Sequence, residues 1–260
     1  MRILSFGEII WDCFPDRRCL GGAPLNFAVH AARLGAESYI CSAVGDAESF
    51  AAVAQTGVRT DYLKSVSFPT GYTNITLDNN GIPTYQVVLD VAWDHIPTPL
   101  DVPPRWDALY FGTLSQRSPV SAESLRALLR QTEARERFCD LNLRHRFYSP
   151  ELIDFCLQNA GIVKVNRDEE AALPPDCFAR YAGLKAILVT RDAEGALLRL
   201  RDGRELRSPQ PRGKLVSAVG AGDSFAAAFL TSWLSGASPE DCLAAGVALA
   251  ERVIAQLGAF

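Results

Sequence analysis

Asp223 stands where a chain can present a carboxylate to a reacting phosphoryl group. It lies in Gly220-Ala221-Gly222-Asp223-Ser224-Phe225, between the apolar run Leu215 to Val219 and the helix-like run Phe225 to Leu234. A strand feeding a glycine turn that opens a helix leaves backbone N–H groups free at the positive end of the helix dipole, and this makes an anion site. There Asp223 can take a proton from a hydroxyl that attacks phosphorus, and the helix terminus should keep it ionised. The same residues also read as an ordinary helix start, because Asp is favoured there and glycine suits a sharp turn. Rival phosphate motifs fit worse. A dinucleotide fingerprint needs a third glycine where Phe225 sits, and neither GxxxxGK[ST] nor the protein-kinase motifs occur.

A second polar group begins with Asp12, followed by Gly21-Gly22-Ala23-Pro24-Leu25-Asn26 ahead of a helix. Asn26 offers two donors and an acceptor, and Asp12 offers acceptors alone, a combination that suits the hydroxyls of a polyol. A glycine turn with an Asn near a helix start is the plainer reading. Asn166-Arg167-Asp168-Glu169 follows an apolar strand. Its spacing is that of a capping box, and it is also compatible with Asn166 and Glu169 organising the waters of a phosphate-bound Mg²⁺. Arg144 ends the segment Asp140-Leu141-Asn142-Leu143-Arg144 after another strand, where open α/β sheets bind ligands. It can meet a phosphoryl group, a sugar oxygen or only a surface acid. His30, His95 and His145 are too separated to suggest a metal cluster, and His30 reads as a packed helix residue.

The elements that must position these groups alternate between short apolar runs and helix-period segments, the pattern of a sheet covered on both faces. Strands are expected at Ile3 to Gly7, Tyr39 to Val44, Ala108 to Phe111, Phe138 to Leu141, Ile162 to Val165 and Ala186 to Thr190, with a helix at Leu25 to Leu34. Ser149-Pro150-Glu151 and Ser238-Pro239-Glu240-Asp241 are helix starts, and Gly161 and Gly258 are expected to close those helices in the left-handed conformation. From Thr70 to Val91 the period changes to two, and Asn79-Asn80-Gly81 marks a hairpin turn. The hairpin is either a lid over a site or an ordinary sheet edge.

Composition narrows the partners. A chain of 260 residues, 48% hydrophobic, can bury one sizeable core, and a net charge of −4 without a dense basic run argues against nucleic acid. No apolar stretch reaches the roughly 18 residues of a membrane span. The seven scattered cysteines, without a CxxC pair, fit reduced thiols in a cytoplasmic protein rather than a zinc site or disulfide frame.

Taken in order, these segments resemble the ribokinase-like (PfkB) carbohydrate kinases, most closely their fructokinase-type branch. The likeness runs through Gly7-Glu8, Trp11-Asp12, Gly21-Gly22 to Asn26, Arg33-Leu34-Gly35, Val44-Gly45-Asp46, Pro69-Thr70-Gly71, Phe111 to Leu114, Asp140 to Arg144, Asn166 to Glu169, Val189-Thr190 and Gly220 to Phe225. It implies a three-layer α/β/α sandwich with a mainly parallel sheet, forming one domain over 1–260 with a small β-sheet lid from about 12–20 and 68–95. It also implies an ATP-dependent sugar kinase, with fructose as first candidate and another sugar, a sugar acid or a nucleoside as alternatives. A silent sugar or nucleotide sensor on the same fold is the non-enzymatic alternative.

Carried over by position, Asp12, Gly22 and Asn26 would meet the sugar, with Arg144 added as a substrate-binding candidate from its place after the strand, and Asn166 with Glu169 would serve Mg²⁺. Gly220, Ala221 and Gly222 would form the anion hole with Asp223 as base, and Thr190, Gly195, Gly220 and Gly222 would meet ATP. The family's usual Asp-Thr pair is Ser217-Ala218 here, so a monovalent-cation site is not implied, and Asp192 replaces a common glycine near the nucleotide. The resemblance leaves a monomer and a homodimer through the lid both open.

Overall fold

The computed structural model describes residues 1–13, 17–77, 83–144, 146–213, 215–256 and 258–260. In chain order the elements are β1 (Arg2–Phe6), β2 (Ile10–Cys13), β3 (Arg18–Gly21), α1 (Ala23–Arg33), β4 (Glu37–Val44), α2 (Ala47–Ala54), β5 (Leu63–Ser65), β6 (Gly71–Leu77) and β7 (Pro83–Val87). They continue with β8 (Arg105–Gly112), α3 (Pro119–Gln131), β9 (Glu133–Asp140), α4 (Pro150–Asn159), β10 (Ile162–Asn166), α5 (Cys177–Arg180), β11 (Ala186–Thr190), β12 (Ala196–Leu200), β13 (Glu205–Arg207), α6 (Ala221–Leu234) and α7 (Pro239–Ile254).

Nine strands form the main sheet in the order β13-β12-β11-β10-β9-β8-β1-β4-β5. From β5 to β11 neighbours run parallel, and β12 and β13 close one edge antiparallel. Parallel strands need crossovers and are buried on both faces, which is why they read as near-continuous apolar runs. One face packs Leu125, Leu128, Ile153 and Leu157 of α3 and α4 onto Leu109, Cys139 and Val163. The other packs Phe27 of α1, Phe225 and Phe229 of α6 and Leu243 of α7 onto Ile3, Tyr110, Phe138 and Ile162. The fold is the expected three-layer sandwich with a mostly parallel sheet.

A second sheet of four strands, ordered β3-β2-β6-β7, stands apart from the first. Its β2–β6 pair is parallel, and the other two pairs are antiparallel. It occupies the two stretches read as a lid, although the hairpin tip at Asn79-Asn80-Gly81 lies outside the described residues. Residues Ala92–His95 form a single 3₁₀ turn whose Trp93 is fully buried with Leu4, Phe6 and Phe111 in the main body.

Three local expectations differ. Leu215 to Val219 is not a strand: the Val216 and Ser217 amides both bond the Ile254 carbonyl at the end of α7, and Leu215 and Val216 are exposed. An apolar run makes a strand only where a sheet edge receives it, and here the edge is already formed by β13. Gly161 does not take a left-handed φ, because α4 ends at Ala160 in extended backbone that leads straight into β10. Gly258 has φ +91 but lies beyond Ala255, the residue that closes α7.

Helix α6 is buried at every residue from Ser224 to Thr231, as expected of a helix wedged between a sheet and another helix. Its partner α7 approaches closely at Gly246, where a Cβ would sit 2.8 Å from the Phe225 ring. Gly246→Ala should lower stability by about 1 kcal/mol in urea unfolding, because overpacking outweighs the gain in helix propensity. An increase in the midpoint would contradict this packing.

Candidate active site

Two helices begin side by side without side-chain caps, and both start at glycine. Gly22 opens α1 with φ +104, and Gly220 opens α6 with φ +78 in the left-handed region. By contrast α2, α4 and α7 are closed by the side chains of Asp46, Ser149 and Ser238. A glycine cap leaves the first-turn amides, those of Gly222 and Asp223 among them, without a side-chain acceptor. Neither glycine tolerates a side chain: at Gly22 a Cβ would fall 2.4 Å from the Glu8 carbonyl, and at Gly220 within 2.6 Å of Ala259. Ala259 is held in turn by His30, whose Nε2 lies 2.7 Å from its carbonyl oxygen.

Asn26, one turn into α1, donates from Nδ2 to Asp223 Oδ2 at 2.7 Å. This bond joins residues 197 apart in the chain and locks the two helix starts together. The other end of the amide is free. Asn26 Oδ1 is buried and has no partner among the described residues. Asp12 faces it across Gly21, with Asp12 Oδ2 and Asn26 Oδ1 within 3.4 and 3.6 Å of the point where a Gly21 side chain would begin. Asp12 is placed by the small sheet, and its neighbour Trp11 is anchored through Nε1 to Ser49 Oγ at 2.9 Å. Ser49 in turn donates to Asp46, which caps α2.

The floor is built by strand alternation. On the face under α1 and α6, β9 presents Phe138 then Asp140, and β10 presents Ile162 then Lys164, so the lining changes from apolar to charged at the carboxyl ends of the strands. Lys164 Nζ donates to Asp140 Oδ2 at 2.8 Å, and the Tyr110 hydroxyl reaches the same oxygen at 3.3 Å. Glu8, after β1, is also buried.

Burial dominates the electrostatics. It pushes Asp223 up to about 6, aided by the Asp140 charge and opposed by the Asn26 hydrogen bond and by Lys164 and Arg144. Burial likewise carries Glu8 to about 7 and Asp12 to about 6, with Arg144 lowering both. The shift therefore runs opposite to the one a helix terminus alone would give, because loss of water costs the carboxylate more than the nearby dipole returns, although a value near 6 still leaves Asp223 mostly ionised at neutral pH. Lys164 is raised despite its own burial by Asp140, Asp223 and Glu169.

Asn166 and Glu169 form the reciprocal box: the Glu169 amide donates to Asn166 Oδ1 and the Asn166 amide to Glu169 Oε2, both at 2.9 Å. Glu169 Oε1 accepts the Leu143 amide at 2.6 Å, fixing the loop that carries Arg144. Both carboxylate oxygens are thus engaged, and among the described residues no group of three or more His, Cys, Asp or Glu could cage a metal. A divalent ion here would meet Asn166 and Glu169 through its own waters and take its main charge from phosphates, the manner of binding that magnesium favours.

Thr190, at the end of β11, lies beside Asn166 in register. The turn after it holds Asp192 at φ +48 and Gly195 at φ +82, and Arg167 pairs with Glu194 across the two loops. The structure thus gathers Asp12, Gly22, Asn26, Gly220, Ala221, Gly222 and Asp223 at one cluster with Arg144 in electrostatic range. Asn166, Glu169, Thr190 and Gly195 form a second cluster along the neighbouring strand ends. Lys164, Asp140 and Glu8 join the site only in the fold, and the sequence signal for the first is a lysine inside the apolar strand Ile162-Val163-Lys164-Val165. A separate cavity of about 270 Å³ is lined by Asp94, His95, Arg117 and Phe147, where Arg117 already pairs with Asp94 at 2.8 Å.

Residues 7–260 match the profile described as pfkB family carbohydrate kinase. The chain belongs to that family. It is an ATP-dependent carbohydrate kinase. Aminoimidazole riboside kinase of Salmonella typhimurium is 28% identical over 88% of this chain and 80% of its own length. Fructokinase of Klebsiella pneumoniae is 27% identical over 96% of this chain and 91% of its own. The fold matches that of Vibrio cholerae fructokinase, solved with fructose, ADP and calcium, at a TM-score of 0.84 and 21% identity, over 99% of this chain and 94% of the other. No helix among the described residues is long and apolar enough to cross a membrane.

A carboxyl group held above its unfolded value keeps protons in the folded state that the unfolded chain has released, so Asp223 lowers stability as pH rises from about 4 through about 6. The full penalty acts above that window. Asp223→Asn should therefore unfold at higher urea than the parent at pH 8, by roughly 2–3 kcal/mol, with the gap closing toward pH 4. A gap that does not vary with pH would remove Asp223 as the buried acid.

Proposed function

We propose that this kinase transfers the γ-phosphate of ATP to the terminal primary hydroxyl of a ketose, with fructose the first candidate. The observation that carries the reading is the 2.7 Å bond from Asn26 to Asp223, with the unpartnered Asn26 Oδ1 turned to the side where Asp12 lies. A polyol answers that arrangement. One hydroxyl donates to Asn26 Oδ1, another to Asp12, and the attacking hydroxyl donates to Asp223, while Arg144 supplies donors from the loop above. Gly22 keeps the wall of the sugar site at backbone height.

Phosphoryl transfer passes through a loose transition state, so alignment and charge neutralisation matter more than covalent chemistry. Asp223 orients the hydroxyl and accepts its proton late, and a value near 6 suits a base working near neutrality. The amides of Gly220 and Gly222 would face the transferred phosphate, joined by that of Ala221 on release of its long 3.3 Å bond to the Ala218 carbonyl, and Thr190 and Gly195 would border the nucleotide. Mg²⁺, with Asn166 and Glu169 holding its waters, would neutralise phosphate charge. The small sheet that carries Asp12 acts as a lid, and its closure would exclude water from the transfer.

A riboside acceptor is the second reading, favoured by the aminoimidazole riboside kinase relative. A coupled ADP-release screen over fructose, ribose, sugar acids and nucleosides with Mg²⁺, with and without potassium, separates the two; no turnover on any acceptor would favour a silent sensor. With the best acceptor, kcat/KM should fall below about pH 6, and Asp223→Asn should lose at least about a hundredfold in kcat while still binding the sugar. Near-parent turnover in that variant would exclude Asp223 as the base.

A further inference from the structure

Lys164 and Asp140 are side-chain neighbours in the parallel register of β10 and β9, and only 7% and 2% exposed. Replacing a buried ion pair by apolar residues is often neutral or stabilising, so fold stability alone does not account for one on this otherwise apolar face. Its position is informative. A Cβ on Gly222 would lie 3.2 Å from Lys164 Nζ, so the ammonium rests against the underside of the glycine turn, one residue before Asp223. An ammonium has three donors, and Asp140 takes one of them. Asp140 Oδ1 has no partner among the described residues.

We propose that Lys164 is a positioning residue for phosphoryl transfer: locked by Asp140, its ammonium backs the Gly220–Gly222 turn with positive charge and keeps the adjoining Asp223 carboxylate available as a base. This rests on reading Asp223 as that base. The groups facing Asp223 are Asn26 from α1, Glu8 after β1, Tyr110 on β8, Asp140 on β9, Arg144 in the following loop and Lys164 on β10. Glu8 and Asp140 oppose its ionisation, and Asn26, Arg144 and Lys164 favour it. Arg144 is exposed and therefore screened by solvent, which leaves Lys164 as the buried cation of the set.

The two halves of the pair give a test that a purely structural bridge fails. Lys164→Met and Asp140→Asn break the same bond but remove opposite charges. With ATP and the best sugar, the acid limb of kcat/KM should move up by about one pH unit in Lys164→Met and down by a similar amount in Asp140→Asn. The nucleotide's own titration is common to all variants. Lys164→Met should also lose kcat by about tenfold or more with sugar KM within about threefold, since the missing charge backs the phosphate rather than the sugar.

The double variant leaves no buried charge alone and so keeps the test open if a single variant does not fold. Its acid limb should lie near the parent's while kcat stays reduced. Acid limbs that move together or not at all, or parent-like kcat in the double variant, overturn the inference. A parent that phosphorylates no sugar overturns the underlying reading instead, so the two failures are distinct.

Discussion

The architecture turns on keeping a partly buried carboxylate ionisable where packing has stripped away much of its water. Asp223 lies at the start of a helix buried for most of its length, over a floor that contains a second carboxylate, Asp140. Desolvation and like charge both favour its protonated form, and one amide bond and nearby cations restore the balance. The distribution of polar groups around it follows from that balance. Asn26 must come from α1, Lys164 from β10, and Arg144 from the loop that Glu169 fixes.

The sheet makes this possible by changing character along its strands. Toward the amino ends, the α6 face is filled by Ile3, Phe138 and Ile162, and the rings of Phe27 and Tyr110 stack at 4.0 Å to seat α1. Two residues further along β9 and β10 the same face carries Asp140 and Lys164. Apolar packing thus fixes helix position, and the polar ends of the same strands receive the helix starts. Helices α2, α4 and α7 spend first-turn amides on side-chain caps, whereas α1 and α6 begin at glycine with no side-chain acceptor.

Much of this was legible before the fold was known. The strands at 39–44, 108–111, 138–141, 162–165 and 186–190 emerged because buried parallel strands are apolar on both faces, and Ser149 and Ser238 announced helices through their caps. Asn166 and Glu169 did form their box, since that contact is local. Leu215 to Val219 misled because apolar character alone does not say whether a sheet edge is free to take a strand. The role of Lys164 is not legible in an apolar strand by itself, because it depends on the residue opposite, Asp140.

Residue types and their order determined the family, the sandwich and the glycine turn with its acid, because these are properties of short segments and of their succession. The tertiary structure decided how Asp223 behaves. Whether an aspartate at a helix start is ionised depends on what surrounds it, and its surroundings come from β9, β10 and α1, distant in the chain. The helix dipole visible in the local sequence acts to lower its pKa, whereas the loss of water that only packing brings raises it.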